Sequence, residues 1–193
     1  MNVLDYVTVE NLMSEEFCKD FLKLTDKQEW EKHRWTYSNE PFKESSHKEK
    51  EVDIQSTTVE MQNALNPYIQ RATETYLDKF HEDGLVFSGN TDERIWIVTE
   101  FTSPRLNKYE VGTKMRKHYD HIHSCFEDRK GIPVLSFVGV FNDDYEGGKF
   151  MLRDTEYVLK TGDILIMPSV FLYPHEVTEI TKGTRYSFVA WAF

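Results

Sequence analysis

Cysteine is scarce in this chain: Cys18 and Cys125 are the two among 193 residues, far apart and in no metal-ligand spacing. A cysteine-ligated metal site is thereby excluded, and free thiols in a reducing, cytoplasmic compartment are expected. Long apolar runs are missing as well. No stretch approaches the roughly 18 residues that cross a bilayer, so no membrane span is expected. The N-terminal MNVLDYVTVE has no basic region followed by an apolar one, which argues against a secretory signal. Positive charge is also in short supply. With 23 Lys and Arg against 33 Asp and Glu, the formal net charge is −10, which opposes binding to nucleic acid. The local cluster Lys108, Lys114, Arg116 and Lys117 reads as a solvated face, with attraction of an acidic partner as its alternative. There is no internal repeat and no low-complexity tract.

What is present suffices for a packed interior. Hydrophobic residues make up 39% and aromatic residues 14%, in a length that suits a single domain over residues 1–193. Val3 to Val9 alternates weakly, as a short strand would. Ser14 is a good helix N-cap, Glu15 and Glu16 favour the helix dipole, and Phe17, Phe21, Leu22 and Leu24 supply an apolar stripe. A second helical pattern runs through Met61, Leu65, Tyr68, Ile69, Ala72, Tyr76 and Phe80, with Pro67 marking a kink or a fresh start after Asn66. Between the helices, SNEPFKESSHKEKE (Ser38 to Glu51) is nearly all polar and reads as a solvated loop, with a lid as the alternative.

From Arg94 the character changes. IWIVTEF, VLSFVGVF, KFMLRD, DILIMPS and RYSFVAWAF are β-rich runs separated by Asp143-Asp144, Gly147-Gly148, Gly162-Asp163 and Lys182-Gly183. Helices first and strands afterwards predict an α+β fold, with N-terminal helices packed on one face of an antiparallel sheet. Strands of this number and length can close into a jelly roll, and a flat sandwich would show a similar pattern.

The segment KHYDHIHS contains one His-x-Asp, His118 and Asp120. Residues two apart on an extended strand share a face, so both can reach one ion. After His123 the chain has one further histidine, His175 in YPHEV, as the candidate third ligand. Two imidazoles and a carboxylate on one side of a metal leave the opposite positions open, the facial arrangement of non-haem Fe(II) oxygenases. Taken singly, each residue has a plainer reading: a histidine beside Tyr119 can be a hydrogen-bonded core residue, and Asp120 can cap a turn.

Ten positions after His175 stands Arg185, followed by Tyr186 and Ser187. Arg185 and Ser187 share a strand face in an otherwise apolar run, where an unpaired guanidinium is costly to bury. A bound dicarboxylate relieves that cost, since guanidinium and carboxylate match bidentately, and Ser187 can add a hydroxyl. The alternative is a salt bridge to an internal Asp or Glu.

Tyr109-x-x-Gly112, His118-x-Asp120, Gly147-Gly148 with Phe150, Gly162-Asp163, Pro174-His175-Glu176-Val177, Thr184-Arg185-Tyr186 and Trp191 together resemble the prolyl 4-hydroxylase-type 2-oxoglutarate oxygenases. The final stretch, PHEV through TRYSFVAWAF, is similar to the oxygen-sensing prolyl hydroxylase domains. The resemblance covers roughly Tyr109 to Phe193; the N-terminal half agrees only in general character.

It implies a double-stranded β-helix, Fe(II) on His118, Asp120 and His175, and 2-oxoglutarate held by Arg185 with Tyr109 nearby. Dioxygen is the implied second co-substrate and ascorbate a candidate reductant. The implied reaction decarboxylates 2-oxoglutarate to succinate and hydroxylates an unactivated C–H bond, that of a prolyl residue in a protein or peptide first among the options. One departure is visible: a second tyrosine that contacts the co-substrate in the oxygen-sensing enzymes falls near Val140 here, so the affinity for 2-oxoglutarate is expected to differ.

Trp191 is expected to pack beside the metal, and His121 and His123 to lie at the surface; Arg116 and Trp96 are placed near the substrate entrance without a role. The same chemistry on a small molecule or free amino acid is the nearest alternative. A non-catalytic jelly-roll binding module, or a metalloenzyme without oxo-acid binding, stands further off, and the latter would leave Arg185 unexplained. Nucleic-acid demethylation is opposed by the acidic charge and by the lack of the second downstream arginine of alkylation-repair dioxygenases.

Overall fold

A computed structural model of the chain describes residues 2–37, 40–43, 48–82, 98–120 and 132–193. Much of Ser38 to Glu51, together with Trp96, His121, His123, Cys125 and the start of IWIVTEF, lies outside the described residues.

The N-terminal half contributes β1 (Thr8–Asn11), α1 (Glu15–Thr25), β2 (Glu31–Lys32), β3 (Trp35–Tyr37), β4 (Glu40–Lys43), β5 (Asp53–Ser56) and α2 (Val59–Glu82). Next come β6 (Arg105–Tyr109), β7 (Met115–His118), β8 (Leu135–Val140), β9 (Glu146–Gly147), β10 (Phe150–Leu152) and β11 (Thr155–Tyr157). The chain finishes with β12 (Asp163–Pro168), β13 (His175–Val177), β14 (Ile180–Lys182) and β15 (Arg185–Ala192).

Ser14 caps α1 as its sequence predicts, accepting from the Phe17 N–H at 3.1 Å. Val3 to Val9 departs from the expected strand. Asn2 and Asp5 form a capping box that winds Val3–Tyr6 into a 3₁₀ turn, and pairing starts only at Thr8. The long helix differs too, because Pro67 neither restarts nor ends it. Pro67 sits on the exposed face, while Leu65 and Ile69 on either side are buried, so packing outweighs the one lost backbone hydrogen bond. Ser38 to Glu51 is not simply a solvated loop: it contains β4 and ends on Glu51, which is 2% exposed and bridges to Lys114.

All strand pairs are antiparallel, apart from that single Glu51–Lys114 bridge. The larger sheet runs β1-β12-β8-β15-β6-β5-β2 and the smaller β11-β10-β13-β7, the layered pattern of a jelly roll. The strand period sorts the apolar residues onto two sides. Phe137 of β8, Ile164 and Ile166 of β12 and Phe188 of β15 join Phe21 of α1 and Leu65 and Ile69 of α2 in one core. Val138, Val140, Leu165 and Met167 turn the other way, toward Phe150, Leu152 and Val177 of the smaller sheet. β8 and β12 are thus buried on both faces, which explains their near-continuous apolar sequence. Gly139 is required by the first core: a Cβ there would fall on the Phe188 ring. Among the described residues no helix is long and apolar enough to cross a membrane.

Leu65→Ala empties a fully buried position between α2 and the larger sheet. It is expected to cost ~2–5 kcal/mol of unfolding free energy, read from the urea midpoint at constant m-value. Pro67→Ala, on the solvent face, should raise that midpoint.

Candidate metal and oxo-acid site

β7 and β13 are neighbours in the smaller sheet, with His118 directly opposite His175. Two residues distant in sequence therefore present their rings side by side, with centroids 4.4 Å apart. β7 stops at His118 and the chain bends, so Asp120 reaches the pair from a bend rather than from the same strand. The result is nevertheless convergent. Asp120 Oδ1 lies 3.7 Å from His118 Nε2 and 3.8 Å from His175 Nε2. These separations are too long for hydrogen bonds and leave the three ligand atoms a small inward shift from a common ion. All three ligand atoms fall within 4.8 Å of one another.

Each side chain is oriented by a further contact. His118 Nδ1 is 2.6 Å from the Arg116 carbonyl, and His175 Nδ1 is 3.0 Å from the Tyr173 carbonyl. A carbonyl only accepts, so in the neutral ring Nδ1 carries the proton and Nε2 offers a lone pair toward Asp120. Burial, then His175, pushes the His118 pKa down to about 4 against the pull of Asp120, so this ring is neutral and ligand-competent at ordinary pH. Burial opposes ionisation of Asp120 in turn, but the two histidines, Ser136 and Trp191 outweigh it and hold its carboxyl below the usual range. The Ser136 hydroxyl donates to Asp120 Oδ2 at 2.7 Å and lies 2.6 Å from Ser169 Oγ. That leaves Oδ1 for a metal. Two imidazole nitrogens and one carboxylate oxygen, all buried or half-buried, fit a non-haem Fe(II) ion.

The residues expected to hold an oxo-acid lie on the larger sheet. Arg185 is 1% and Ser187 1% exposed, both on the side of β15 that faces the smaller sheet. Arg185 Nη1 donates to Ser187 Oγ at 2.9 Å, and the guanidinium carbon sits 5.0 Å from the centroid of the Tyr109 ring, opposite it on β6. Among the described residues, buried Arg185 Nη2 has no hydrogen-bond partner and no carboxylate pairs with this cation. The internal salt bridge weighed from sequence is therefore not found, and the unmet donor fits a carboxylate brought by a ligand. Tyr109 is 2% exposed, and burial raises its phenol pKa, so it remains a neutral hydroxyl.

Sequence reasoning missed several contributors. Ser136 and Ser169 lie in apolar runs with nothing to mark them. Tyr145 stands beside the Gly147-Gly148 turn, and Arg185 Nε donates to its hydroxyl at 3.2 Å. The N-terminal segment supplies a third group. Buried Glu51 accepts from Arg116 at 2.7 Å and from the Trp35 indole at 3.0 Å. The Trp35 ring then meets His118 edge-on, with centroids 5.4 Å apart. Lys108 pairs with Glu110, so two of the four cations in the local basic cluster are internally paired.

The family model of the 2OG-Fe(II) oxygenase superfamily matches residues 104–193. That match takes in His118, Asp120, His175 and Arg185 together. A PKHD-type hydroxylase of Acinetobacter baumannii is 43% identical over 97 residues, covering 46% of this chain and 41% of that protein. The chain spans less than half the length of the curated relatives it matches. A Trichoplax adhaerens prolyl hydroxylase, solved with a hypoxia inducible factor oxygen degradation domain peptide fragment, superposes with a TM-score of 0.69 at 15% identity, covering 98% of this chain and 85% of that one. A Pseudomonas putida prolyl-4-hydroxylase superposes with a TM-score of 0.64 at 16% identity, covering 98% and 96%. These two similarities show a shared fold that takes in the N-terminal half as well as residues 104–193.

Ser136→Ala should weaken Mn(II) binding by about 10- to 100-fold, because Asp120 loses the hydroxyl that orients it; isothermal titration with the metal alone reads this. A second expectation concerns acid. Burial, helped by Arg105, His118 and Arg116, lowers the His33 pKa to about 3. The unfolded chain takes up that proton near 6.5 and the folded one does not, so the His33 contribution to stability is constant above 6.5 and falls as pH drops toward 3. The urea midpoint of the metal-free protein should decline below pH 6.5, and His33→Phe should reduce the slope.

Proposed function

We propose that this chain is an Fe(II)- and 2-oxoglutarate-dependent dioxygenase that hydroxylates a prolyl residue of a protein or peptide, working as a single domain over residues 1–193. His118, Asp120 and His175 bind the iron, and Arg185 with Ser187 and Tyr109 binds the far carboxylate of 2-oxoglutarate. The observation that carries the reading is the pairing of two features in one inter-sheet space: three convergent ligand atoms, and a buried guanidinium with an unmet donor.

Iron, 2-oxoglutarate and dioxygen, when bound, supply the oxidising chemistry that converts a C–H bond to an alcohol with release of succinate and carbon dioxide. The chain's own residues do the rest. The Arg116 and Tyr173 carbonyls hold the Nδ1 protons of the two histidines, so neither ring can turn its lone pair away. Ser136 keeps one Asp120 oxygen occupied and the other free. Arg185, 1% exposed, binds a carboxylate through charge-assisted hydrogen bonds, which burial strengthens. Phe150, stacked on His175 at 5.5 Å between centroids, shields that ligand on its inner side.

The prolyl assignment draws on the solved neighbours, which are prolyl hydroxylases, one of them holding a peptide. Exposed apolar side chains support a polypeptide substrate. Tyr119 sits between two ligands, Val134 accepts from the Ser169 N–H, and Phe171 and Leu172 lead into His175.

Protein loaded with Fe(II) and incubated with 2-oxoglutarate and a broad panel of proline-containing peptides should yield products heavier by about 16 Da, with hydroxyproline located by fragmentation. Arg185→Gln should cut turnover more than 100-fold at low 2-oxoglutarate. Succinate formation without any +16 Da peptide would refute the prolyl substrate while leaving the oxygenase intact. No succinate at all would refute the dioxygenase.

A further inference from the structure

Arg185 makes one contact that its own strand does not explain. Ser187 meets the guanidinium because residues two apart on β15 share a face. Tyr145 meets it from the segment between β8 and β9, 40 positions away in the chain, where its hydroxyl accepts from Arg185 Nε at 3.2 Å. The backbone around Tyr145 is shaped to hold it there. Gly148, at φ +57°, lies against both partners: a Cβ on it would collide with the Ile180 side chain and come within 3.1 Å of Tyr145 Cε2 and 3.3 Å of Arg185 Cδ. Gly183, at φ +76°, crowds the same residue from the other hairpin. A Cβ there would stand 3.2 Å from Tyr145 Cα and 3.3 Å from its Cβ.

The β8 residue opposite Ser187 is the buried Val140, whose side chain offers neither donor nor acceptor. Tyr145, Arg185 and Phe150 also line one cavity of about 240 Å³. With one Nη1 hydrogen given to Ser187 and Nε–H to Tyr145, Nη2 is the nitrogen whose donors are wholly left for a ligand.

We propose that Tyr145 is a positioning residue for the co-substrate: its hydroxyl fixes the rotation of the Arg185 guanidinium so that Nη2 faces the distal carboxylate of 2-oxoglutarate. The proposal rests on the reading of Arg185 as the anchor. A guanidinium pinned at two of its three nitrogens loses little further freedom when the carboxylate arrives, so the tyrosine acts on affinity rather than on the reacting atoms.

Tyr145→Phe keeps the ring and removes the acceptor. Titrating 2-oxoglutarate into the Mn(II)-loaded protein by calorimetry should show Kd rising about five- to tenfold, with Mn(II) affinity and the thermal midpoint unmoved. In turnover, KM for 2-oxoglutarate should rise by the same factor while kcat changes less. Arg185→Gln, run alongside, should lose binding more than 100-fold. If Tyr145→Phe binds 2-oxoglutarate as tightly as the parent while Arg185→Gln does not, the role of Tyr145 is refuted and the anchor stands. A parallel fall in Mn(II) affinity, or an effect confined to kcat, also refutes it. A parent protein that binds metal but no 2-oxoglutarate overturns both readings together.

Discussion

A guanidinium enclosed between two β-sheets must find an anion, and most of the site can be understood from that requirement. Arg185 is almost wholly shut off from solvent, flanked by the Tyr109 ring and by neutral hydroxyls, with no carboxylate partner among the described residues. A bare buried cation costs several kcal/mol. Folding tolerates the cost because β15 is anchored on both sides, by β8 and by β6, and because Phe188 and Ala190 on its other face belong to the main core. The helices matter to the chemistry through this route. Their Phe21, Leu65 and Ile69 share one core cluster with Phe137, Ile164 and Phe188 of the larger sheet, on the side of β15 away from Arg185. On the proposed reading, a ligand carboxylate would offset that cost on binding.

The metal end is built differently, with one carboxylate set between two imidazoles. Asp120 is held ionised by two histidines, Ser136 and Trp191 despite its burial. The histidines face each other only because β13 runs antiparallel beside β7. β7 is the outer strand of its sheet, and the N-terminal segment covers it there: Glu51 ties Arg116 and Trp35 together, and Trp35 rests on the His118 ring. The first 50 or so residues, which look like a mere lead-in, thus contribute a wall to the metal site.

The readable parts of the sequence were those governed by short periods or by scarcity. His118 and Asp120 stand two apart, Arg185 and Ser187 likewise, and His175 was conspicuous because histidines are few downstream. The β-rich runs after residue 134 became β8, β10, β12 and β15 because alternation and turn residues agree there. The unread parts depend on distant partners. Ser136 has meaning only once Asp120 bends back to it, 16 positions away. Tyr145 and Glu51 carry no local mark of burial, and polar neighbours made Glu51 look solvated. Pro67 misled because a local rule about helices was overridden by tertiary packing, and Val3 to Val9 because an Asn–Asp capping pair outcompeted a weak strand pattern.

Co-crystallisation with Mn(II) and the oxo-acid analogue N-oxalylglycine tests the central claim most directly. The account predicts one ion about 2.0–2.2 Å from His118 Nε2, His175 Nε2 and Asp120 Oδ1. The analogue should chelate that ion at one end and rest its far carboxylate on Arg185. Metal bound elsewhere, or an analogue whose distal carboxylate avoids Arg185, would contradict it.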